Sequence, residues 1–420
     1  MKGFRQTTRS ELALKTFLDH VAPRQLEPER VPLGQALGRV LAHDIVSDFD
    51  IPAFDRAAMD GYAVVAEDTF GSSLTNPALL RGVGKAAMGL APSLKIARGE
   101  AAEITTGAFL PPGADAVVML EYVHRINADK IEVSSPVTPG ENVSKAGEDV
   151  QKGDVVLRRG TQLLPPDIGM LAALAKREVE VVRRPTVAIL CTGSELVELG
   201  DSPREGEVIN SSRYVLCSLV EKTGGTAAYL GIAKDSLADI SRMIRKGLVE
   251  ADMVLVTGGT SVGETDLVPE AIQTLGEPGM LVHGVAIRPG MPTGLALVNG
   301  KAVVSLSGQP VAAMIGFETF VRPLILRLLG TDEQPAPSVR ARLSRRVASA
   351  LGMRTFVRVI VREVDGGYVA DPITTTGSGL LSSVTKANGM IIIPEDLEGI
   401  EAGDEVSVAM FRPVERSKNG

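Results

Sequence analysis

The residues best suited to chemistry stand in the segment TGGTSVGETD, which follows the apolar run MVLV and ends at Asp266. Gly258 and Gly259 permit a tight turn whose exposed backbone N–H groups can receive phosphate oxygens. Ser261 adds a hydroxyl donor, and Glu264 and Asp266 are carboxylates suited to a divalent metal that neutralises phosphate charge. The same pattern is equally typical of a helix N-cap after a glycine-rich turn.

A second segment of this kind, CTGSELVE, follows the apolar run TVAIL. Gly193 permits the turn, and Glu195 supplies an acid, although an acid at this place could also merely complement a helix dipole. Because the carboxyl ends of parallel strands meet at one edge of a sheet, we expect both segments to contribute to one ligand site. The chain has no GxxxxGK[ST] and no GxGxxG after a strand, which argues against a P-loop NTPase and a dinucleotide dehydrogenase.

Two further loops have the chemistry of anion sites. AIRPGMPTG carries Arg288, a planar donor suited to oxyanions, in a turn that two prolines restrict. SLSGQP places Ser305 and Ser307 before a helix that is predicted to start at Pro310, and helix N-termini attract anions.

Charged clusters lie elsewhere. The loop DFDIPAFDRAAMDGYAV holds Asp48, Asp50, Asp55 and Asp60, which repel one another unless a cation or Arg56 relieves them. Aromatic residues between the acids favour an ordered loop, and a solvated acidic turn is the alternative. A run of seven arginines without an acid indicates either a solvated strand face or a basic wall that holds a polyanion. These are Arg340, Arg342, Arg345, Arg346, Arg354, Arg358 and Arg362.

The composition limits the possible classes of protein. The 420 residues carry a net charge of −7 with no Trp, which argues against a nucleic-acid-binding surface. Two cysteines are too few for a disulfide framework or a structural zinc cluster. The amino terminus lacks the apolar core of a signal peptide, and no apolar run is long enough for a membrane span. We therefore predict a cytoplasmic protein that binds neither nucleic acid nor membrane.

The elements that must position these residues follow three patterns. Residues 185–330 alternate apolar strands with amphipathic helices, which predicts a doubly wound α/β sheet. Residues 44–143 are short β-branched runs separated by Gly and Pro, which predicts an all-β unit, and the chain beyond a linker near 331–338 is again strand-rich. Near the amino terminus, Thr8 and Glu11 have capping-box spacing before an amphipathic helix.

Taken together, these motifs resemble one family, the MoeA family of molybdopterin molybdenumtransferases, to which the E domains of gephyrin and of plant Cnx proteins also belong. The motifs are, in order, PAFDRAAMDGYAV, ITTGAFLPPGADAVV, GEDV, CTGSELVE, EVINSSRYVL, TGGTSVGETD, RPGMPTG and SSVTKANG. Each is weak by itself, but their order and spacing extend over nearly the whole chain and are specific.

The resemblance implies an α/β multidomain fold. Its parts are a discontinuous linking and dimerisation domain at 1–44 and 144–184, an all-β insertion domain at 45–143, a central doubly wound α/β domain of the molybdopterin-binding kind at 185–331, and a C-terminal β-barrel domain at 332–420.

The resemblance also implies a reaction in molybdenum cofactor biosynthesis. Adenylylated molybdopterin and molybdate give molybdenum cofactor and AMP, with Mg²⁺ as the assisting cofactor. The implied partners are a second copy of the chain in a homodimer, the upstream molybdopterin adenylyltransferase and molybdoenzyme chaperones. Because the dithiolene of the substrate binds the metal, the protein needs no cysteine at the site. Its task is to position the oxyanion beside the sulfurs and to assist pyrophosphate cleavage.

The predicted site residues combine the loops above with positions carried over from the family. The acids expected to be catalytic are Asp60, Asp149, Glu195, Asp235 and Asp266, of which Glu195 and Asp266 are also the expected metal ligands. The expected substrate contacts are Thr106, Gly193, Gly258, Gly259, Ser261, Arg288, Pro289, Ser307 and Ser383. In this family the insertion loops that hold Asp60 and Thr106 reach the cleft of the partner subunit.

The sequence departs from the family pattern in the loop RPGMP, where KPGKP is common. Met291 stands in place of a lysine expected near the oxyanion. This departure leaves two alternative functions, a tungstate-preferring member of the family and a non-catalytic pterin-binding carrier or scaffold. The arginine motif around Arg354 is shifted by one residue, so Arg354 receives no role.

Overall fold

The computed structural model describes residues 7–22, 26–91, 93–259, 267–333, 335–373 and 379–416. Within these ranges the α-helices are α1 Ser10–His20, α2 Pro165–Ala173, α3 Ser211–Lys222, α4 Leu237–Glu250, α5 Leu267–Gln273, α6 Pro310–Gly316, α7 Arg322–Leu329 and α8 Leu381–Lys386. A π-helical turn, Phe317–Val321, joins α6 to α7. None of the helices in the described ranges has the length and apolar character needed to cross a membrane.

The strands extend along the whole described chain. Those before residue 185 are β1 Pro28–Pro32, β2 Ile45–Val46, β3 Arg56–Ala57, β4 Gly61–Val64, β5 Ala78–Ala86, β6 Glu100–Ile104, β7 Ala116–Met119, β8 Val123–Arg125, β9 Lys130–Val133, β10 Val143–Ser144, β11 Val155–Leu157 and β12 Glu178–Val182. The later ones are β13 Thr186–Thr192, β14 Leu196–Val197, β15 Val208–Ile209, β16 Thr226–Ala233, β17 Met253–Thr257, β18 Pro278–His283, β19 Ile287–Arg288, β20 Gly294–Val298, β21 Lys301–Leu306, β22 Ser338–Leu343, β23 Val347–Ala348, β24 Arg354–Val364, β25 Gly367–Pro372, β26 Gly389–Ile393, β27 Gly399–Ile400, β28 Glu405–Met410 and β29 Glu415–Arg416.

The chain divides into two compact units. The first unit comprises Met1–Val31, Ala36–Ala42 and Glu180–Gly420, and the second comprises Pro32–Gln35 and His43–Val179.

The centre of the first unit is a six-stranded sheet in the order β16-β13-β17-β21-β20-β18. The first four strands are parallel, and the hairpin of β20 and β21 turns at Asn299 and Gly300, both with positive φ, as the Asn-Gly pair predicts. Alternate strand residues point to opposite faces. On one face Ile189 packs with α3, α6 and α7, and on the other Leu190 packs with α4 and α5. The predicted doubly wound α/β sheet is therefore confirmed.

The C-terminal part of the first unit is a closed barrel. Strands β24, β25, β22, β28 and β26 pair in that order, and a further pairing of β26 with β24 closes the ring. Its interior is apolar, with Val357, Val359 and Val408 fully buried. This confirms the predicted C-terminal β-barrel.

The second unit is built on a six-stranded sheet in the order β7-β4-β6-β5-β9-β8. Both faces are covered, since Val64 and Val118 pack in one apolar cluster while Ala63 and Val117 pack in another. Helix α2 begins with two prolines, which are tolerated in the first turn because its N–H groups have no partner within the helix.

The capping-box prediction for the first helix is wrong. Helix α1 begins at Ser10, and the residue before it, Arg9, provides no side-chain cap. Thr8 instead forms an isolated β-bridge with Val285, in which the N–H of Thr8 donates to the carbonyl of Gly284 at 3.0 Å. Because this extended pairing uses the Thr8 backbone, the N-cap is Arg9 and the helix starts one residue later than the capping box predicts.

Candidate functional site

The strand order creates a crevice between two neighbouring strands of the first unit. From β13 the chain passes through α3 to β16 on one side, and it then returns through α4 to β17 on the other side. Ligands of open α/β sheets bind at such a switch point, outside the carboxyl ends of the strands. The loops that follow β13 and β17 are the two glycine-and-acid segments of the sequence.

A cavity of about 1410 Å³ lies at this edge of the sheet, and we call it the sheet-edge cavity. Eight of the predicted site residues line it, which brings together the loops after β13, β16, β17 and β21 and the RPGMP loop. They are Gly193, Glu195, Asp235, Gly258, Gly259, Arg288, Pro289 and Ser307. Met291, at the position of the expected lysine, lines it as well.

Two positions in the floor of the cavity must be glycine, because neighbouring atoms leave no room for a side chain there. Gly258 has a φ of +98°, and a Cβ there would lie 2.1 Å from the carbonyl oxygen of Thr192. Gly259 has a φ of +62°, and its Cβ would lie 2.8 Å from Val268. Any side chain would force the loops after β13 and β17 apart, so glycine is a steric condition for the crevice.

Thr192 is a site residue that the sequence analysis missed. It lines the cavity at the end of β13, is only 2% exposed, and its hydroxyl finds no hydrogen-bond partner among the described residues. A buried hydroxyl without a partner costs free energy, so such a group indicates a donor kept for a ligand. A threonine at the last position of a strand, directly before a glycine, was the available signal.

Asp235 holds the loop that contains Glu195. Its Oδ2 accepts a hydrogen bond from the backbone N–H of Ser194 at 2.8 Å. The carboxylate thus ties the turn before α4 to the turn after β13, next to Glu195. This contact gives Asp235 a positioning role in the described structure.

The RPGMP loop is held by the barrel. Strand β19, which ends at Arg288, pairs in parallel with the start of β24, and the N–H of Arg354 donates to the carbonyl of Ala286 at 2.9 Å. Within the loop the hydroxyl of Thr293 donates to the carbonyl of Gly290 at 2.7 Å. Arg354 itself forms an ion pair with Glu11 of α1, at 3.0 Å, and does not line the cavity.

A smaller cavity of about 270 Å³, which we call the arginine pocket, shares Arg288 and Pro289 with the sheet-edge cavity. Four of its lining residues are arginines and none is acidic; they are Arg288, Arg345, Arg346 and Arg358. Such a pocket in a chain of net charge −7 favours a small anion.

Arg358 is the strongest sign of an anion in this pocket, and the sequence analysis gave it no role of its own. It is 1% exposed, and its Nη2 has no partner among the described residues. Burial lowers the pKa of its guanidinium, and no described carboxylate raises it again. A buried charge without a counterion is strongly unfavourable. The available signal was a single arginine within the apolar run FVRVIV.

Ser383 supports Arg358. The Nε of Arg358 donates to the hydroxyl oxygen of Ser383 at 3.2 Å, and that hydroxyl donates to the carbonyl of Leu380 at 2.6 Å. The predicted substrate contact Ser383 is buried and lines neither cavity, so its contacts are those of a residue that orients the arginine.

The rest of the arginine run is largely a paired surface. Arg340 forms an ion pair with Glu405, and Arg362 with Asp371 and Glu415. Arg346, which lines the arginine pocket, also pairs with Glu401. The alternative of a solvated strand face therefore holds for Arg340 and Arg362, and the basic wall reduces to the arginine pocket.

Two predicted residues, Ser261 and Asp266, lie outside the described residues. Among the residues that are described, no three His, Cys, Asp or Glu side chains come together as a metal site. Glu195 and Asp235 are the acids of the described residues that line the sheet-edge cavity.

Three predicted residues belong to the second unit and do not line the cavity. Asp60 accepts hydrogen bonds from the N–H of Thr106, at 2.7 Å, and from its hydroxyl, at 3.0 Å. These bonds hold the pKa of the exposed Asp60 carboxyl below its ordinary value. The N–H of Asp149 donates to the carbonyl of Ile51 at 3.1 Å.

The acids of the loop that contains Asp60 are paired with separate protein donors. Asp48 pairs with Lys176 and Asp55 with Lys145, each at 2.8 Å, and Asp50 accepts the N–H of Lys152 at 2.7 Å. Each carboxylate therefore has its own donor, and Arg56 contacts Ser144 instead.

Comparison with family models covers most of the chain. Residues 8–175 match the MoeA N-terminal region (domain I and II), residues 188–327 match a probable molybdopterin binding domain, and residues 340–411 match the MoeA C-terminal region (domain IV).

Individual relatives agree with these matches. The molybdopterin molybdenumtransferase of Bacillus subtilis is 35% identical over 392 residues, which cover 93% of this chain and 91% of the relative. That of Staphylococcus aureus is 32% identical over 404 residues, or 96% of each chain. The crystal structure of the molybdopterin biosynthesis MoeA protein from Pyrococcus horikoshii superposes with a TM-score of 0.84 at 38% identity, covering 97% of this chain and 100% of that one.

Proposed function

This chain belongs to the MoeA family of molybdopterin molybdenumtransferases and acts in molybdenum cofactor biosynthesis, and we propose that it inserts molybdate into adenylylated molybdopterin with release of AMP. The names of its relatives do not favour the two alternatives, a tungstate-preferring enzyme and a non-catalytic carrier.

The observation that carries this proposal is the pair of adjoining cavities that share Arg288 and Pro289. The larger, of about 1410 Å³, has room for a pterin nucleotide, and its glycine floor lets phosphates approach the backbone. The smaller, of about 270 Å³, has the charge and size for a tetrahedral oxyanion. The two substrates of the proposed reaction match this contrast, because adenylylated molybdopterin is a large pterin nucleotide and molybdate is a small tetrahedral oxyanion.

The chain's own residues then perform a positioning task. The Thr192 hydroxyl and the amide of Gly259 offer donors to the phosphates, while Arg358 attracts the oxyanion. Arg288, at the common wall, binds charge on either side. Holding the oxyanion beside the dithiolene turns an encounter of two solutes into a reaction within one complex.

The carboxylates of this site fit magnesium. Mg²⁺ is usually bound through one or two carboxylates together with substrate phosphates and water. Among the described residues, Glu195 can supply such a carboxylate. When bound, the ion would neutralise charge on the pyrophosphate. Asp235, whose Oδ2 accepts the N–H of Ser194, keeps the Glu195 loop in place for it.

The family resemblance supports further proposals. These are Mg²⁺ as the cofactor, a cytoplasmic homodimer, the four-domain boundaries given above, and site roles for Asp60, Thr106, Asp149, Ser261 and Asp266.

The experiment is to add molybdate to the purified protein loaded with adenylylated molybdopterin and to measure AMP by chromatography. AMP release that depends on molybdate supports the proposal. Tight pterin-nucleotide binding without AMP release would contradict it in favour of a carrier, and faster release with tungstate would contradict the molybdate preference.

A further inference from the structure

A partly buried hydrogen-bond network stands beside the sheet-edge cavity, at the far end of the CTGSELVE segment. Both oxygens of Glu198 are occupied: Oε1 accepts the hydroxyl of Tyr229 at 2.6 Å, and Oε2 accepts Nη1 of Arg213 at 2.9 Å. Glu198 does not line the cavity, so these contacts serve something other than a direct contact with a ligand there.

The network is packed as well as hydrogen-bonded. The guanidinium of Arg213 lies 3.9 Å from the ring centre of Tyr229 and 5.1 Å from that of Tyr214, which gives cation–π attraction to both rings. Burial raises the pKa of the Tyr229 hydroxyl, and its bond to Glu198 raises it further. Tyr229 therefore keeps its proton and remains a donor at all ordinary pH values.

Asn210 connects this network to the wall of the cavity. It lines the cavity, but its Nδ2 donates to the Tyr229 hydroxyl at 3.1 Å and its Oδ1 accepts the N–H of Arg213 at 3.2 Å. The second bond caps the N-terminus of α3. Because both its amide nitrogen and its amide oxygen are hydrogen-bonded to the network, Asn210 has a fixed position in the cavity wall.

The same wall carries Glu195. The N–H of Val208 donates to the carbonyl of Glu195 at 2.8 Å, and the N–H of Asn210 donates to that of Val197 at 2.9 Å. Strands β14 and β15 thus form a short parallel ladder, with Glu195 at one end and Glu198 just beyond the other. A displacement of Glu198 would be transmitted along this ladder to Glu195 and to the first turn of α3.

We propose that Glu198 and Tyr229 are positioning residues, which fix Glu195 and the first turn of α3 as the wall that binds the nucleotide part of the substrate. This inference rests on the proposed function, because it assigns the nucleotide to the sheet-edge cavity. The part of this wall that contacts the nucleotide binds ground state and transition state alike, so its loss raises KM, while a displacement of Glu195 would also lower kcat.

The test compares Tyr229→Phe and Glu198→Gln with the wild-type protein. Tyr229→Phe leaves Glu198 and Asn210 each short of a partner, and Glu198→Gln places an amide N–H₂ or a weaker acceptor against Arg213. We expect the Kd for AMP, measured by calorimetry, and the KM for adenylylated molybdopterin to rise about tenfold in each variant. Tyr214→Phe is the matched control, because it removes a hydroxyl beside the same arginine but keeps the ring that packs on Arg213 and the hydrogen bonds of Glu198, and it should keep wild-type values.

Three results would overturn the inference: an unchanged Kd and KM in both variants, a fall in thermal stability without any change in Kd, or an equal effect of Tyr214→Phe. The AMP titration also separates this inference from the proposed function. A wild-type protein that binds AMP but releases none on addition of molybdate contradicts the proposed reaction, while the Kd values of the variants still decide the role of Glu198 and Tyr229.

Discussion

The carboxylate of Asp235 accepts the backbone N–H of Ser194 at 2.8 Å and so anchors the residue that precedes Glu195. An acid at the edge of a ligand cavity is readily taken for a catalytic group. Asp235, however, contacts the neighbouring loop, so it acts either through its charge or by positioning that loop. These two roles can be distinguished by mutation.

If Asp235 acts by positioning, Asp235→Asn should keep most of the activity, because the amide oxygen can still accept the Ser194 N–H. Asp235→Ala should reduce kcat/KM about tenfold to a hundredfold, the equivalent of a hydrogen bond of ~1–3 kcal/mol. Steady-state AMP release measures both. Asp239→Ala is the control, since Asp239 accepts the N–H of Lys234 in the same turn but does not line the cavity. An Asn variant as inactive as the Ala variant would instead assign the role to the charge.

Arg358→Met should separate oxyanion binding from stability. Met fills a similar volume without the buried charge, so the free energy of unfolding should stay equal or rise. The KM for molybdate should rise about tenfold to a hundredfold, because a charged hydrogen-bond donor contributes ~1.5–3 kcal/mol. Arg340→Met, on the exposed pair with Glu405, should leave that KM unchanged. A wild-type KM in Arg358→Met would exclude the arginine pocket as the oxyanion site.

Thr192→Val should have opposite effects on stability and on activity. Removing a buried hydroxyl that lacks a partner among the described residues should stabilise the protein by about 1 kcal/mol, while turnover falls about tenfold if the hydroxyl donates to a phosphate. Thr257 is as deeply buried, with 2% of its surface exposed, but its hydroxyl donates to the carbonyl of Ser307 at 2.9 Å. Thr257→Val should therefore destabilise in urea unfolding. A loss of stability in Thr192→Val would show that its hydroxyl is already paired.

Cys191 should make the protein less stable in alkali. Burial raises the pKa of its thiol from 9.0 to about 11, so the unfolded chain loses this proton at lower pH than the folded protein. The stabilisation from keeping the thiol neutral is present below pH 9 and is lost as the pH rises from 9 to about 11. Cys191→Ala should flatten the fall of unfolding free energy over this range, and more than Cys217→Ala, whose thiol is only half-buried. Equal slopes in wild type and Cys191→Ala would contradict this.

The sheet-edge cavity was largely predictable, because its lining depends on short sequence segments at the ends of strands. Buried strands TVAIL and MVLV, each followed by glycine, predict parallel strands whose carboxyl ends meet, and Gly193, Glu195, Gly258 and Gly259 do line one cavity. Strand and helix periodicity likewise predicted the central sheet and a strand-rich C-terminal part, since each depends on which face of a segment is apolar. The closure of that part into a barrel was expected from the family resemblance.

Contacts between residues far apart in sequence were not predictable in this way. Arg358 looked like one of seven similar arginines until barrel closure buried it beside Ser383, 25 residues away. The acids near Asp55 looked like a cluster that needs one cation, whereas Lys145 and Lys176 arrive from distant segments. Thr8 looked like a helix cap until its pairing with Val285 competed for its backbone.

The sequence by itself thus determined the family, the order of helices and strands, and the loops that carry glycines and acids, because these depend on side-chain periodicity and on local backbone freedom. Only the tertiary structure decided which polar groups already have partners. Asp235 has one in the N–H of Ser194, whereas Arg358 Nη2 and the Thr192 hydroxyl lack one among the described residues. Burial and pairing are properties of the packed chain, and it is the buried group without a partner that marks where a ligand is expected.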